Sequence, residues 1–323
     1  MATYLVTGAA GFIAARVCEL LLADGHAVVG VDNLNDYYDV RLKEWRLARL
    51  RAHQAFSWQR VDIEEMSALE PVFAARRFDA VVNLAARAGV RASLEQPELY
   101  RSTNILGERN VLECQRKFGV PKHVLASSSS LYAGSPMPFS ESLPLNAPQS
   151  PYAETKKQAE LLARDYHARH GLDVTILRYF TVFGPAGRPD MAPFRFIKWI
   201  DEGTPITLFG DGTQARDFTY VDDIARGTVL ALKPLGCEII NLGGGRNPLS
   251  LLTVIGFVEQ ALGKRAKITG QPPSAADMKE TWADIAKAQR LLGWTPAVSA
   301  EEGFRRAVAW HLENRDLVRS IKV

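Results

Sequence analysis

The stretch Gly8-Ala9-Ala10-Gly11-Phe12-Ile13-Ala14 follows a short apolar run, residues 3 to 6, and opens a segment with helical spacing over residues 11 to 24. Glycines at these positions let the chain turn tightly and let backbone N–H groups approach a bound group closely. The helix that begins there points the positive end of its dipole at the same place. A strand, a glycine turn and a helix in this order predict a pyrophosphate site at the first turn of an α/β domain.

Asp32 ends the second predicted strand, 21 residues after Gly11. At this position an acidic side chain accepts hydrogen bonds from the hydroxyls of an adenosine ribose. Its charge would repel a 2′-phosphate, and the next residue is Asn33 rather than an arginine. The glycine turn and Asp32 together predict a dinucleotide site that prefers NAD to NADP. The alternative is an ordinary strand-to-helix turn followed by a surface aspartate.

Short β-branched runs alternate with longer helical patterns through the first half of the chain. The predicted strands are 3–6, 27–32, 56–61, 80–84, 123–127 and 174–179, and the predicted helices are 11–24, 41–54, 64–76, 97–119 and 151–170. Strict alternation is typical of a parallel sheet with helices on both faces. We therefore predict an α/β fold, a Rossmann-type doubly wound parallel sheet with a smaller C-terminal α/β substrate lobe.

The pattern changes after about residue 180, where glycine and proline separate shorter elements. A helical pattern from Val221 to Lys233 is expected to pack on the first lobe. This predicts an NAD-binding Rossmann domain of residues 1–180 plus about 217–235, and a second lobe of residues 181–216 and 236–323. A ligand cleft is expected between the lobes, at the carboxyl ends of the strands.

Bulk composition limits the possible partners. The 323 residues are 47% apolar, with 39 basic and 36 acidic side chains and a net charge of +3. No block of Lys and Arg suggests nucleic-acid binding, and no apolar run approaches the roughly 20 residues that span a membrane. Cys18, Cys114 and Cys237 lie far apart, so we expect no metal site and reduced thiols in a cytoplasmic protein.

Tyr152 and Lys156 stand four residues apart in the predicted helix 151–170, so they lie on one face of it. A neighbouring ammonium favours the phenolate and lowers the pKa of a phenol from about 10 toward neutrality, so that the tyrosine can act as a general base or acid. The run Ser127–Ser130 supplies hydroxyls that can share the same proton. Any amphipathic helix produces such pairs, and a solvated helix face is the alternative.

These features, in this order, resemble the extended short-chain dehydrogenase/reductase family of nucleotide-sugar enzymes. The resemblance rests on Gly8-x-x-Gly11, Asp32, Asp62-Ile63, Leu84-Ala85-Ala86, the serine run and Tyr152-x-x-x-Lys156, and it covers essentially the whole chain. It implies a bound NAD. The cofactor-binding residues that it implies are Gly8, Gly11, Phe12, Ile13, Asp32, Asn33, Asn35, Asp36, Asp62, Ile63, Leu84, Ala85, Ala86, Tyr152, Lys156 and Tyr179.

The serine loop distinguishes the reactions of this family. Members that dehydrate a sugar have an Asp-Glu pair in this loop, and members that decarboxylate a uronate have a glutamate, whereas this chain has Ser129-Ser130. Without the additional acid, the resemblance implies oxidation and reduction alone, which is the chemistry of an epimerase. We predict Ser128, Tyr152 and Lys156 as the catalytic residues, with Ser127 or Ser129 as alternatives to Ser128.

Several segments resemble those of UDP-glucuronate 4-epimerases. They are residues 33–39, 88–91, 175–185 and 187–192. A uronate carries a carboxylate that needs hydrogen-bond donors. The implied substrate-binding residues are Arg91, Ser128, Ser129, Thr181, Arg188, Arg216 and Asp277, with Arg216 on the diphosphate and Asp277 on the uridine ribose. The chain departs from the family at Asn83 and Arg87, which replace the more common His and Gln, and at Ser274 and Ala276, beside Asp277.

The resemblance predicts an isomerase, a UDP-glucuronate/UDP-galacturonate 4-epimerase. It would oxidise C4 transiently with NAD, let the 4-keto intermediate rotate, and reduce it again. The alternatives are a UDP-glucose/galactose 4-epimerase, a UDP-uronate decarboxylase with an atypical loop, and a non-catalytic NAD-binding sensor. The predicted helices 97–119 and 151–170 resemble those that pair in dimers of the family, so the expected assembly is a homodimer.

Overall fold

The structure, a computed structural model, describes residues 1–246, 248–272 and 278–323. The strands are β1 Thr3–Thr7, β2 Ala27–Asp32, β3 Phe56–Arg60, β4 Ala80–Asn83, β5 Lys122–Ser128, β6 Asp173–Tyr179, β7 Thr181–Phe183, β8 Ile206–Phe209, β9 Ala215–Arg216, β10 Phe218–Tyr220, β11 Cys237–Leu242, β12 Leu249–Ser250 and β13 Ile268–Gln271. The α-helices are α1 Phe12–Ala23, α2 Val40–Arg51, α3 Met66–Ala74, α4 Val90–Glu95, α5 Pro97–Arg101, α6 Gly107–Phe118, α7 Pro151–His170, α8 Ala192–Glu202, α9 Val221–Leu230, α10 Leu251–Leu262, α11 Ala286–Leu292, α12 Ala300–Glu313 and α13 Arg315–Ser320.

The central sheet has seven parallel strands in the order β11-β6-β5-β4-β1-β2-β3. The strand order reverses between β1 and β4, and open α/β sheets bind their ligands in the crevice outside the strand ends at such a point. Thr7 and Asn83 are register partners at these two ends. The predicted doubly wound parallel sheet is confirmed.

Helices cover both faces of the sheet, so its central strands are apolar on both sides. Val81 and Val82 of β4 are fully buried. Val81 packs in a cluster with residues of α3 and α6, whereas Val82 packs in another cluster with residues of α1 and α9. Helix α9, Val221–Leu230, therefore packs with α1 on one face of the central sheet.

Three two-stranded sheets lie outside the central sheet among the described residues, formed by β7 with β10, β8 with β13 and β9 with β12. One part of the predicted domain division is wrong. Residues 237–242 were assigned to the second lobe, but they form the strand Cys237–Leu242, which pairs along its whole length with β6 at the edge of the central sheet. Its run of β-branched and apolar residues is that of a buried strand, and the remaining division stays a prediction.

The predicted helix 97–119 is divided into α5, a π-helix at Ser102–Leu106, and α6. Asn104 lies in the π-helix, and its side chain bonds the backbone N and O of Arg87, at 2.9 and 3.0 Å, and Thr155 Oγ1 at 3.0 Å. Single π turns are common at functional sites. In the described part of the chain, no helix has both the length and the apolar character needed to cross a membrane.

Candidate active site

The predicted glycine turn packs directly against the end of β4. Gly8 has a φ of +67°, and a Cβ atom on it would lie 2.9 Å from both N and Cα of Ala85. Gly11 N donates to Gly8 O at 2.7 Å, and α1 begins at the next residue, Phe12. A larger residue at Gly8 would move the turn away from β4, so this close approach requires glycine.

Asp32 joins the turn to the loop after β2. Its Oδ2 accepts from Ala10 N at 3.1 Å, and its Oδ1 accepts from Leu34 N at 2.8 Å. An ionised carboxylate has about four acceptor positions, so Asp32 keeps acceptor capacity for ribose hydroxyls while it fixes the turn.

The predicted adenosine edge is a hydrogen-bonded loop. Asn33 Nδ2 donates to Asp62 Oδ2 at 2.7 Å, and Asn35 N donates to Asn33 Oδ1 at 3.0 Å. Lys43 Nζ donates to Asn35 O at 2.7 Å, and Asp36 is exposed in the same loop. The sequence analysis did not identify Lys43.

The segment after β4 is held by Thr7. Its Oγ1 accepts from Leu84 N and from Ala85 N, both at 3.1 Å, and donates to Asn83 Oδ1. The predicted residues Leu84, Ala85 and Ala86 therefore lie beside the glycine turn, because Thr7 immediately precedes that turn in the chain.

These residues fit a dinucleotide. The turn leaves no side chain between β4 and the N-terminus of α1. At this N-terminus, Gly11, Phe12 and Ile13 would hold a pyrophosphate. Asp32 would hold a ribose. The predicted residue Ile63 packs closely on Gly107 of α6. A Cβ atom added to Gly107 would lie 2.6 Å from Ile63 Cδ1.

Tyr152 and Lys156 lie on the first turns of α7. Ser150 caps this helix by accepting from Ala153 N at 3.2 Å, and Pro151 occupies the first helical position, both favourable for a helix start. Tyr152 is 9% exposed and Lys156 is 5% exposed. The cap therefore fixes both side chains in a largely buried position.

The pKa of Tyr152 differs from the expectation. Burial raises it above the ordinary value of 10.0, and a hydrogen bond with Ser128 and the charge of Arg188 only partly offset that rise. Lys156 Nζ donates to Ala126 O at 2.7 Å, and burial lowers the pKa of Lys156 to about 8. The expected lowering of the phenol pKa toward neutrality is thus wrong for the protein alone, because burial penalises the phenolate.

The four serines have different surroundings. Ser127 Oγ donates to Glu160 Oε1 at 2.5 Å, and Glu160 forms a buried ion pair with Arg178. Ser128 Oγ accepts from Ser130 N at 3.2 Å and bonds Tyr152. The structure thus brings Ser128, rather than Ser127, to the tyrosine, whereas Ser129 and Ser130 form the following 3₁₀ turn.

Arg188 reaches the same place from the loop after β7. Its Nε and Nη2 donate to Asp190 at 3.0 and 2.6 Å, and Nη2 also donates to Ala88 O at 3.0 Å. Its Cζ lies 5.5 Å from the centre of the Tyr37 ring. Arg188 is therefore held by a carboxylate, a carbonyl and an aromatic face, close enough for its charge to act on Tyr152.

Register places Thr181 near the serine loop. Ser128 of β5 is paired with Tyr179 of β6, and Thr181 follows two residues later. The Tyr179 hydroxyl does not join the site, because it lies in the core, 2.8 Å from Thr228 Oγ1. Any cofactor contact of Tyr179 would have to come from another part of the residue.

The other predicted substrate residues lie nearer the small sheets of the second lobe. Arg91 Cζ is 4.6 Å from the centre of the Phe209 ring, at the end of β8. Arg216 Nη1 donates to Ala215 O at 2.8 Å. Asp277 lies outside the described residues.

Sequence reasoning missed Arg46, a buried guanidinium on α2. It donates to Ala186 O, at 3.1 Å from Nε and 2.7 Å from Nη2, to Gly187 O at 3.2 Å, and to Ala10 O at 3.1 Å. One side chain thus joins the glycine turn to the loop that carries Arg188. Arg46 lies four residues after the buried Leu42, so it falls on the apolar stripe of α2. A charged residue at such a position was the available signal in the sequence.

Two further tyrosines adjoin Tyr152. Tyr37 Oη donates to Ala88 O at 2.6 Å and accepts from Tyr100 Oη at 3.3 Å. The Tyr100 and Tyr152 rings meet edge to face with centres 6.1 Å apart. Tyr37 thereby links the loop after β2, through Tyr100, to Tyr152 on α7, a contact that no local pattern indicates.

Comparison with known proteins identifies the family. A model of the NAD dependent epimerase/dehydratase family matches residues 4–243. The chain belongs to this family. It is 58% identical over 323 residues, all of both chains, to the UDP-glucuronate 4-epimerase of Thermodesulfobacterium geofontis.

Solved members of the epimerase/dehydratase family have the same fold. The UDP-glucuronic acid 4-epimerase of Bacillus cereus, in complex with UDP-glucuronic acid and NAD, superposes with a TM-score of 0.91 at 39% identity and covers 96% of this chain and 99% of its own. The UDP-glucose 4-epimerase of Thermotoga maritima, with UDP-glucose, gives 0.89 at 30% identity, with 97% and 99% covered. NAD, the predicted cofactor, is confirmed as the cofactor of the family, and these neighbours bind UDP-sugars.

Proposed function

We propose that the protein is a UDP-glucuronate 4-epimerase that interconverts UDP-glucuronate and UDP-galacturonate. The observation that carries the proposal is the 58% identity, over the full length of both chains, to a UDP-glucuronate 4-epimerase. The buried group of Tyr152, Ser128 and Lys156 supports it. So does the serine loop, which has no carboxylic acid at Ser129 or Ser130 for dehydration or decarboxylation.

The reaction requires a proton and a hydride to leave C4 and to return. Tyr152 as phenolate takes the proton from the C4 hydroxyl, Ser128 donates a hydrogen bond to the tyrosine oxygen, and the Lys156 ammonium favours the phenolate. NAD⁺, when bound, accepts the hydride and later returns it. The 4-keto sugar rotates about its diphosphate link between these steps, so its other face is presented to the hydride, and Tyr152 returns the proton to the C4 oxygen.

Product analysis tests this proposal. Purified protein incubated with UDP-glucuronate should give UDP-galacturonate, identified by NMR, and should give no net turnover of UDP-glucose. Tyr152→Phe should lower kcat by about a thousandfold, because a general acid–base group contributes about 10² to 10⁴. Conversion of UDP-glucose to UDP-galactose instead would indicate the neutral-sugar epimerase, and a UDP-pentose as the main product would indicate a decarboxylase.

The oxidised intermediate of a uronate is a β-keto acid, which loses CO₂ readily when its carboxylate is free to rotate. We propose that Ser129, Thr181 and Arg188 hold the carboxylate and suppress this loss. Thr181→Ala should then raise the fraction of decarboxylated by-product severalfold in the NMR assay. Thr213→Ala, which removes an exposed threonine that bonds Asp211, is the matched control. Equal by-product in the two variants would contradict the carboxylate role of Thr181.

We also propose a homodimer. Leu94, Leu99, Leu106 and Leu161, on the faces of α4 to α7, are between 42% and 55% exposed, and a second copy would cover them. Sedimentation should give about twice the chain mass of 35.7 kDa, and Leu161→Lys should lower the mass that is measured.

We also propose a cytoplasmic location. It is supported by three free cysteines, which are typical of a reducing compartment.

A further inference from the structure

The backbone of Arg87 is fixed to α7, the helix that carries Tyr152 and Lys156. The Asn104 side chain accepts from Arg87 N at 2.9 Å and donates to Arg87 O at 3.0 Å. The same amide donates to Thr155 Oγ1 at 3.0 Å, and Thr155 lies on α7 between Tyr152 and Lys156. The Cα atom of Arg87 is therefore held at a fixed position relative to Tyr152 and Lys156.

One donor of the Arg87 guanidinium is not satisfied by the described residues. Its Nε is buried and has no hydrogen-bond partner among the described residues. Its Cζ lies 5.5 Å from the centre of the Tyr37 ring, the same distance as the Cζ of Arg188. An aromatic face attracts a cation but accepts no hydrogen bond in the plane of the guanidinium. A buried donor left in this state costs free energy unless a ligand accepts from it.

The surroundings of Arg87 carry an excess of positive charge. Three arginines, Arg46, Arg87 and Arg188, act electrostatically on Lys43. Asp190 pairs with Arg188, and Asp32 acts on Lys43, whereas Arg46 donates to carbonyl and hydroxyl oxygens. Burial, and then the neighbouring arginines, lower the pKa of Lys43 to about 8. An anionic ligand would remove this repulsion.

We propose that Arg87 binds an anionic oxygen of a ligand in this cleft, either of the cofactor pyrophosphate or of the uronate carboxylate. The proposal rests on the proposed function, which brings both anions here. A guanidinium offers a planar fork of donors that matches phosphate or carboxylate oxygens. Arg87 differs in this respect from Arg188, whose Nε and Nη2 already hold Asp190, so that only Nη1 is left for the proposed carboxylate contact.

Two variants and a control test the assignment. Arg87→Gln removes the charge and keeps an amide donor, and Arg87→Lys keeps the charge but not the fork. Arg305→Gln removes a guanidinium that pairs with Glu302 on the exposed face of α12, so it controls for net charge. Dissociation constants for NAD and for UDP-glucuronate are measured separately by calorimetry, KM values for UDP-glucuronate and UDP-glucose by kinetics, and the fold by thermal melting.

A lost charge-assisted hydrogen bond predicts about tenfold to hundredfold weaker binding of one ligand in Arg87→Gln. If the pyrophosphate is the ligand, NAD binds that much more weakly and UDP-glucuronate does not. If the carboxylate is the ligand, UDP-glucuronate binds more weakly, with NAD and UDP-glucose unaffected. Arg87→Lys should lie between Arg87→Gln and the wild type in either case.

Binding of both ligands within twofold of the Arg305→Gln control, with normal melting, would overturn the proposal. Loss of melting cooperativity in Arg87→Gln together with wild-type affinities in Arg87→Lys would overturn it as well, because the residue would then be structural. A wild-type protein that binds NAD and UDP-glucuronate but does not turn the sugar over would refute the proposed function alone, since the affinities of the Arg87 variants would still be measurable.

Discussion

The glycine turn, Gly8–Ile13, and the substrate loop, Gly184–Met191, both carry predicted ligand-binding residues, but they are positioned differently. The turn closes on itself, with Gly11 N bonded to Gly8 O at 2.7 Å. The substrate loop is positioned by distant residues. Arg46, which is 140 residues away in sequence, bonds Ala186 O at 2.7 Å, and Arg188 reaches Ala88 O at 3.0 Å.

This difference separates what a local pattern encodes from what only the fold provides. The shape of the turn follows from the identity of its own residues, so a single changed residue there should act directly. The position of the substrate loop follows from side chains on α2 and after β4, so a change outside the loop should alter substrate binding. Substitutions in the two regions can test whether this distinction holds.

The largest effect is expected for Gly8→Ala in the turn. The new Cβ would lie 2.9 Å from backbone atoms of Ala85 in a left-handed conformation, with φ +67°. We expect a loss of about 4 kcal/mol in the free energy of unfolding, from conformational strain and overpacking together, measured by urea denaturation. Gly25→Ala is the control, because Gly25 has φ +78° but no atom within 4 Å of a new Cβ.

Gly25→Ala should lose only about 1 kcal/mol, the cost of the conformation itself. A loss in Gly8→Ala no greater than this would show that β4 moves away freely, and the turn would then depend on its own conformation alone.

A smaller loss, about 3 kcal/mol, is expected for Arg46→Met. This variant fills much of the volume but leaves the carbonyls of Ala10, Ala186 and Gly187 without donors, and each unpaired buried carbonyl costs about 1 kcal/mol or more. The KM for UDP-glucuronate should also rise, because Arg188 follows these carbonyls directly. Arg49→Met, one turn later on α2 with 58% of its side chain exposed, should change the stability by about 0.5 kcal/mol or less.

An unchanged KM for UDP-glucuronate in Arg46→Met, with the expected loss of stability, would show that the substrate loop keeps its position without α2. The contrast with the glycine turn, which is closed by the bond from Gly11 N to Gly8 O, would then disappear.

The sequence predicted the sheet well because its strands are short apolar runs whose neighbours are set by chain order. The predicted strand 27–32 coincides with β2, Ala27–Asp32, and the predicted helix 151–170 with α7. Strand β11 was missed because its neighbour, β6, is distant in sequence. The π-helix at Ser102–Leu106 was missed because its cause is the tertiary contact of Asn104 with Arg87.

The candidate site shows the same division. Spacing alone placed Tyr152 and Lys156 together, and the structure has both near the start of one helix. Spacing could not distinguish among the serines. What separates Ser127 from Ser128 is the hydrogen bond of Ser127 to Glu160 on α7, which is distant in the chain. Nor could spacing indicate that burial raises the pKa of Tyr152, since burial depends on all the surrounding elements.

The pH dependence of kcat should change slope at the pKa of Lys156. Burial raises the pKa of Tyr152 above 10.0 and lowers that of Lys156 from 10.5 to about 8, so the lysine charge is lost before the phenolate is fully formed. Below about pH 8 the rate should rise by about tenfold per pH unit as Tyr152 loses its proton, and above it the loss of the lysine charge should offset this gain, so that the rate levels off. Lys156→Arg should let the rise continue above pH 8, because arginine stays charged, while Lys157→Arg should leave the levelling in place. A levelling near pH 8 that persists in Lys156→Arg would assign it to another group.

The ascending limb of the pH profile of kcat should instead depend on the substrate loop. The rate rises as Tyr152 loses its proton, and the cationic Arg188 lowers the pKa of this tyrosine. Arg188→Gln should therefore move the ascending limb to higher pH. Asp190→Asn removes the carboxylate that partly neutralises Arg188, so it should move the same limb to lower pH. Opposite shifts with an unmoved levelling near pH 8 would confirm that the two regions act on separate groups, whereas equal shifts would show that both variants only displace the loop.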